Sequence, residues 1–171
     1  MIIILETERL ALRWFTPEDA PLILHLLNDP LFLRFVGDKN VRTLDDARQY
    51  LRHGPLASYA RHGFGLCHVS LKAAGTPIGM CGLLKRDTLE DVDVGFAYLP
   101  QFGGQGYATE AARAMLHYGR TGLGLKRIVA ITAPDNAGSI KVLKKIGLHH
   151  TSTLQVPGYH TDSLLFTPVE L

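Results

Sequence analysis

VDVGFAYLPQFGGQGYATEAARA, residues 92–114, is the stretch from which the fold is read. An apolar run from Val92 to Leu99 stops at Pro100, Gly103, Gly104 and Gly106 follow, and an alanine-rich segment opens at Tyr107. In that segment Ala108, Ala111, Ala112, Met115 and Leu116 recur at the spacing of one helix face. The stretch reads strand, glycine loop, helix. Such a joint suits an anion, because the first helical turn leaves backbone N–H groups unpaired at the positive end of the macrodipole, and glycines let a phosphate approach them. The bland alternative is a tight turn with no ligand. Two familiar phosphate loops are excluded: after Gly104 and Gly106 the third glycine of the dinucleotide fingerprint is missing, and no Gly-Lys-Ser/Thr follows.

Outward from this joint, residues 64–72 and 78–85 are strand-like runs joined by a Gly- and Pro-containing connection, and with 92–99 they form a meander. Beyond the helix, which ends around Gly122 and Gly124, residues 127–133 contain the buried-strand sequence IVAIT. A helical crossover joins this strand to the one before the loop, so the two run parallel. Near the N-terminus, Leu10, Leu12 and Trp14 alternate with polar or small residues as a half-buried strand, and Thr16-Pro17-Glu18-Asp19 reads as a helix start. A second helix begins at Thr43-Leu44-Asp45-Asp46, burying Ala47, Tyr50 and Leu51, and Gly54-Pro55 is expected to kink or end it. Between these helices lies the apolar segment 31–36, read either as an acceptor-pocket wall or as a cap on the core. Asn136 caps a helix carrying Ile140, Leu143 and Ile146, and residues 149–156 and 162–169 close the chain as an antiparallel pair.

The expected fold is therefore α/β: one domain over residues 1–171 with a mixed, mostly antiparallel sheet of six to seven strands and helices on both faces. The charge is mild, 18 Lys and Arg against 16 Asp and Glu, which argues against nucleic acid as a main partner. Cys67 and Cys81 lie in apolar runs without C-x-x-C spacing and read as reduced core residues. The opening apolar run meets Glu6 at once, and no run reaches the roughly 20 residues of a membrane span. A cytoplasmic protein, monomer or homodimer and independent of membrane, is the expectation.

Gln101-Phe102-Gly103-Gly104-Gln105-Gly106 resembles the Gln/Arg-x-x-Gly-x-Gly/Ala loop of the GNAT superfamily of acetyl-CoA-dependent N-acetyltransferases. The continuation Tyr107-Ala108-Thr109-Glu110-Ala111 is similar to the branch that acetylates ribosomal-protein N-termini, and the resemblance runs from Thr7-Glu8-Arg9-Leu10 to about Leu148. It implies a splayed parallel pair of strands holding acetyl-CoA as co-substrate. The loop amides of Gln101, Gly103, Gly104, Gln105, Gly106, Tyr107 and Ala108 would hold the pyrophosphate, and the backbone of residues 94–98, with Phe96, Ala97 and Tyr98, the pantetheine arm. Asn136 joins the cofactor-binding set. The acceptor is an amine, of a small molecule or a protein N-terminus.

Acetyl transfer needs a base for the protonated amine and a proton for the departing thiolate, and no metal. Asp93, two residues before Gly95, stands where the resemblance implies an acid, to act as base directly or through a water or to orient the amine; the bland alternative is a solvated charge at a strand edge. The Tyr that many GNAT enzymes use as acid is matched here by Leu143, which removes the usual donor. The Asn-x-x-Ser spacing from Asn136 to Ser139 resembles a ribosomal-protein arrangement in which a Ser approaches the sulfur, although a Ser at the third helical position also often serves the backbone. His149-His150 lack further ligands at metal spacing. His53, His62, His68 and His117 read as surface or half-buried, and Tyr159-His160 as a loop that either meets the acceptor or is only a loop tip. The alternative to an enzyme is an acyl-CoA-binding or sensing domain without turnover. A dinucleotide-dependent oxidoreductase fails on the missing glycine.

Overall fold

In the computed structural model, which describes residues 2–159 and 161–170, the stretch read above is strand β5 (Val92–Tyr98), a 3₁₀ turn (Pro100–Phe102) and helix α5 (Tyr107–Thr121). The remaining strands are β1 (Ile3–Glu6), β2 (Leu10–Trp14), β3 (Leu66–Leu71), β4 (Pro77–Leu84), β6 (Ile128–Thr132), β7 (Leu148–Leu154) and β8 (Ser163–Pro168). They make an eight-stranded sheet in the order β1-β2-β3-β4-β5-β6-β8-β7. Every neighbouring pair is antiparallel except β5 and β6, which are parallel as the crossover requires.

The sheet has one strand more than expected. β1 pairs with β2, but its four residues carry three apolar side chains in a row, so no alternation marked it as a strand. The chain's last strand, β8, inserts between β6 and β7.

Each face of the sheet is covered. On one, Ala111, Ala112, Met115 and Leu116 of α5 pack with Leu10, Val69, Leu83 and Val94, all nearly inaccessible. The alanines at two of these positions bring the helix axis close to the strands, and burial of Met115 and Leu116 contributes about 1.5–3 kcal/mol each. Helix α6 (Ala137–Lys145) adds Leu143 to the same cluster. The other face is built by α1 (Ala20–Leu27), α2 (Pro30–Phe35) and α3 (Leu44–Leu51), with Ile23, Leu26, Ala47 and Leu51 against Leu66 and Met80.

Gly54-Pro55 does not end the helical run. Residues Arg52–Leu56 form a π-helical turn running on into α4 (Ala57–His62). The wider turn accommodates Pro55, which has no N–H to donate. Cys67 and Cys81 face each other in the β3–β4 register, both free and buried, and burial pushes the Cys67 thiol up to about 12.

Candidate active site

The glycine loop is shaped as an anion cradle. Gly104 (φ 74°) and Gly106 (φ 83°) occupy the left-handed region that a side chain disfavours. Gly103 N–H returns to Pro100 O at 3.0 Å and Glu110 N–H to Gly106 O at 3.0 Å, whereas the amides of residues 104–109 donate to no backbone carbonyl. They converge at the α5 N-terminus. The Gln101 and Gln105 side chains are exposed, and Gln105 Nε2 reaches Gln101 O at 3.5 Å.

The N-terminal Thr-Glu-Arg-Leu sequence braces this loop. Arg9 Nε donates to Glu110 Oε1 at 2.7 Å, Arg9 N–H and the Thr7 hydroxyl to Glu110 Oε2 at 3.0 and 2.5 Å, and Arg9 Nη1 to Gln105 O at 3.0 Å. The guanidinium also covers the Tyr107 ring, 4.4 Å from its centroid.

The sheet opens beside the loop. β5 pairs with β6 only at Val92↔Ile128 and Asp93↔Val129, while its other edge stays paired to β4 out to Tyr98↔Gly79. From Val94 onward the edge facing β6 is free for an added strand. A cavity of about 290 Å³ follows it from Gly104 and Ala108 past Tyr98, Ala97 and Phe96 to Asn136 and Ser139. A second, of about 180 Å³, shares Phe96, Ala97, Asn136 and Ser139 and continues to Asp93. The slot thus brings together Asp93, Phe96, Ala97, Tyr98, Gly104, Ala108, Asn136 and Ser139; Gln101, Gly103, Gln105, Gly106 and Tyr107 stand on the loop outside its walls.

Asp93 is not a solvated charge: it is 1% exposed, and Arg86 Nε donates to its Oδ1 at 2.9 Å. Burial raises its pKa above the ordinary carboxylate value, with Arg86 pulling in the opposite direction. Arg86 Nη1 in turn donates to the Tyr159 hydroxyl at 3.2 Å, and Lys39 and Tyr50 complete this end of the cavity. Phe32, Phe35 and Val36 also line it, so the apolar segment 31–36 is both helix α2 and pocket wall. Arg86 carries no motif of its own. Extending the β4–β5 register, in which Leu84 lies opposite Asp93, sets Arg86 opposite Asp91 and diagonal to Asp93 on the same face, so strand pairing narrows its partner to these two acids without choosing between them. His160 lies outside the described residues.

Asn136 caps α6, its Oδ1 accepting the Ser139 N–H at 3.2 Å. The Ser139 hydroxyl makes no hydrogen bond to a described residue, so the backbone is served by Asn136 and the hydroxyl is left to the slot. Leu143 is buried in the cavity wall. His68 is not half-buried but 3% exposed, away from the slot between Phe15 and Asp19. His149 and His150 are exposed. Among the described residues no three His, Cys, Asp or Glu converge as metal ligands, and no helix is long and apolar enough to cross a membrane.

The family model described as an acetyltransferase (GNAT) domain matches residues 9–149. An uncharacterised N-acetyltransferase of Bacillus subtilis, YoaA, is 27% identical over 157 residues, covering 91% of this chain and 88% of its own. The crystal structure of a GNAT-family acetyltransferase from Bacillus anthracis superposes with a TM-score of 0.79 at 25% identity, covering 98% of this chain and 97% of that one. RimL, a ribosomal alpha-N-protein acetyltransferase solved in complex with coenzyme A, shares the fold (TM-score 0.81, 18% identity, 98% and 97% covered).

Proposed function

Since this chain belongs to the GNAT family of acetyltransferases and is an N-acetyltransferase, we propose that it is a single domain moving the acetyl group of acetyl-CoA directly onto a primary amine held at the Asp93 end of the slot. The observation that carries this reading is the free edge of β5 leading into the α5 N-terminus, a strand-shaped berth continuous with an anion cradle. In this reading the pyrophosphate sits on the amides of residues 104–109 and the pantetheine arm runs along Tyr98, Ala97 and Phe96. That leaves the thioester between Ser139 and Asp93.

The amine arrives protonated. Asp93 takes that proton, directly or through one water, and the nitrogen lone pair attacks the thioester carbonyl carbon. A free β5 amide donates to the oxygen as charge develops on it. Collapse of the tetrahedral intermediate breaks the C–S bond; the Ser139 hydroxyl gives its proton to the thiolate and is reprotonated, through water, by the second proton that the acylated nitrogen sheds, while Asp93 releases the first to solvent.

The test is kcat against pH, followed by thiol release, for wild type, Asp93→Asn and Ser139→Ala on an accepted amine. Proton transfer acts in the transition state, so each substitution lowers kcat by roughly ten- to ten-thousand-fold. Calorimetry should find CoA affinity nearly intact in both. Unchanged profiles would transfer the proton steps to water or substrate.

A further inference from the structure

The charges at the acceptor end do not balance. Arg86 and Lys39 both face it, lying over the Tyr159 ring at 5.8 Å from its centroid, and Asp93 is the one carboxylate among the cavity's lining residues. That carboxylate is taken up by Arg86 Nε. Lys39 is exposed at the mouth of the cavity and has no acidic partner within ion-pair distance among the described residues; partial desolvation of its ammonium, with Arg86 nearby, lowers its pKa. The adjoining groove continues the trend: it shares Tyr50, Leu66, Leu84 and Arg86 with the cavity and adds Arg61, Lys85, His53 and His62, with no Asp or Glu in its lining.

The phosphates of CoA do not answer these cations. Asp93 lies five residues before Tyr98 on β5, about 17 Å along an extended strand, and the anion cradle begins beyond Tyr98. Lys39 and Arg86 against the single carboxylate of Asp93 leave one positive charge in excess, carried by Lys39, which attracts an anion and repels a second positive charge.

We infer that the acceptor is a small amine that also carries an anionic group, carboxylate or phosphate, held by Lys39 and Arg86 while its nitrogen faces Asp93. This rests on the acetyl-transfer reading and deepens it. Polyamines are excluded as good acceptors by the same charges. Lys39 is a specificity residue; Arg86 both binds the anion and positions Asp93.

Matched acceptors test this: alanine against alaninamide, phosphoethanolamine against ethanolamine, and spermidine, each measured by thiol release with wild type, Lys39→Gln and Lys39→Arg. Lys39 is chosen because removing Arg86 would strand a buried Asp93. The anionic member of at least one pair should be preferred about tenfold or more in kcat/KM, since a site left with unpaired charge rejects the analogue lacking the anion. Which pair shows the preference tells carboxylate from phosphate. Lys39→Gln should raise KM for that acceptor and erase the preference with KM for acetyl-CoA unchanged, and Lys39→Arg should restore it. Uncharged amines or spermidine used as well as the anionic ones, or a preference that survives Lys39→Gln, would overturn the inference alone. Absence of turnover with all of these small amines while acetyl-CoA still binds would overturn this inference and leave acetyl transfer to another class of amine, such as a protein N-terminus, standing.

Discussion

His68 should make this protein acid-sensitive to a degree that can be worked from its surroundings. Its side chain is 3% exposed, Nδ1 has no partner, and Nε2 stands 3.9 Å from Asp19 Oδ1, too far for a hydrogen bond. Arg13 holds Asp19 with two bonds of 2.8 Å, so the nearby carboxylate is already neutralised. Burial, and then the Arg13 charge, lower the His68 pKa to about 4, against 6.5 for a free imidazole. A group whose folded pKa is depressed binds its proton more readily in the unfolded chain, so stability falls as pH drops through the window between about 6.5 and about 4. A gap of about 2.5 pH units, at about 1.4 kcal/mol each, is about 3.5 kcal/mol in all, of which about 2 kcal/mol is lost by pH 5. Urea unfolding at pH 8 and pH 5 on wild type and His68→Leu reads this directly. Wild type should lose about 2 kcal/mol more than the variant, a midpoint difference of about 1 M for a slope near 2 kcal/mol/M. Equal losses would show that His68 is not held neutral and that the acid sensitivity lies elsewhere.

The brace on the loop should matter for binding more than for folding: Arg9→Ala, which releases Gln105 O and leaves Glu110 one partner short, is expected to weaken CoA affinity about tenfold by calorimetry with a small change in Tm. Gly104→Val places a β-branched side chain at φ 74° and should abolish detectable CoA binding; an unchanged Kd would remove the anion-cradle role. Asn136→Ala should cost about 1 kcal/mol through the lost cap, measured by thermal unfolding, whereas Ser139→Ala should cost much less because its hydroxyl bonds no described residue.

Much of this was legible because it is local chemistry. Glycines with positive φ at the mouth of a helix, alternation in β2, and the crossover that makes β6 parallel to β5 all announce themselves within a few residues. What escaped depends on distant pairings. β1 is strand because β2 accepts it as an edge, not because four residues alternate. Asp93 was read as the candidate base with a solvated charge as the bland alternative, and only the assembled fold shows it buried and gives it Arg86. Lys39 and Tyr159 lie in separate loops and meet only when the sheet is assembled. The acceptor end was therefore the less readable half of the slot, since it is built from loops, and the cofactor half the more readable, since one contiguous segment makes it.

The berth for acetyl-CoA is the claim on which the rest stands, and amide chemical shifts on isotope-labelled protein titrated with CoA test it most directly. The account predicts shifts concentrated in residues 104–109 and along 94–98 of β5, with Asn136 and Ser139 following, and little change in β1, β7 or the β3–β4 turn. Saturable shifts centred elsewhere, with residues 104–109 and 94–98 unmoved, would contradict it.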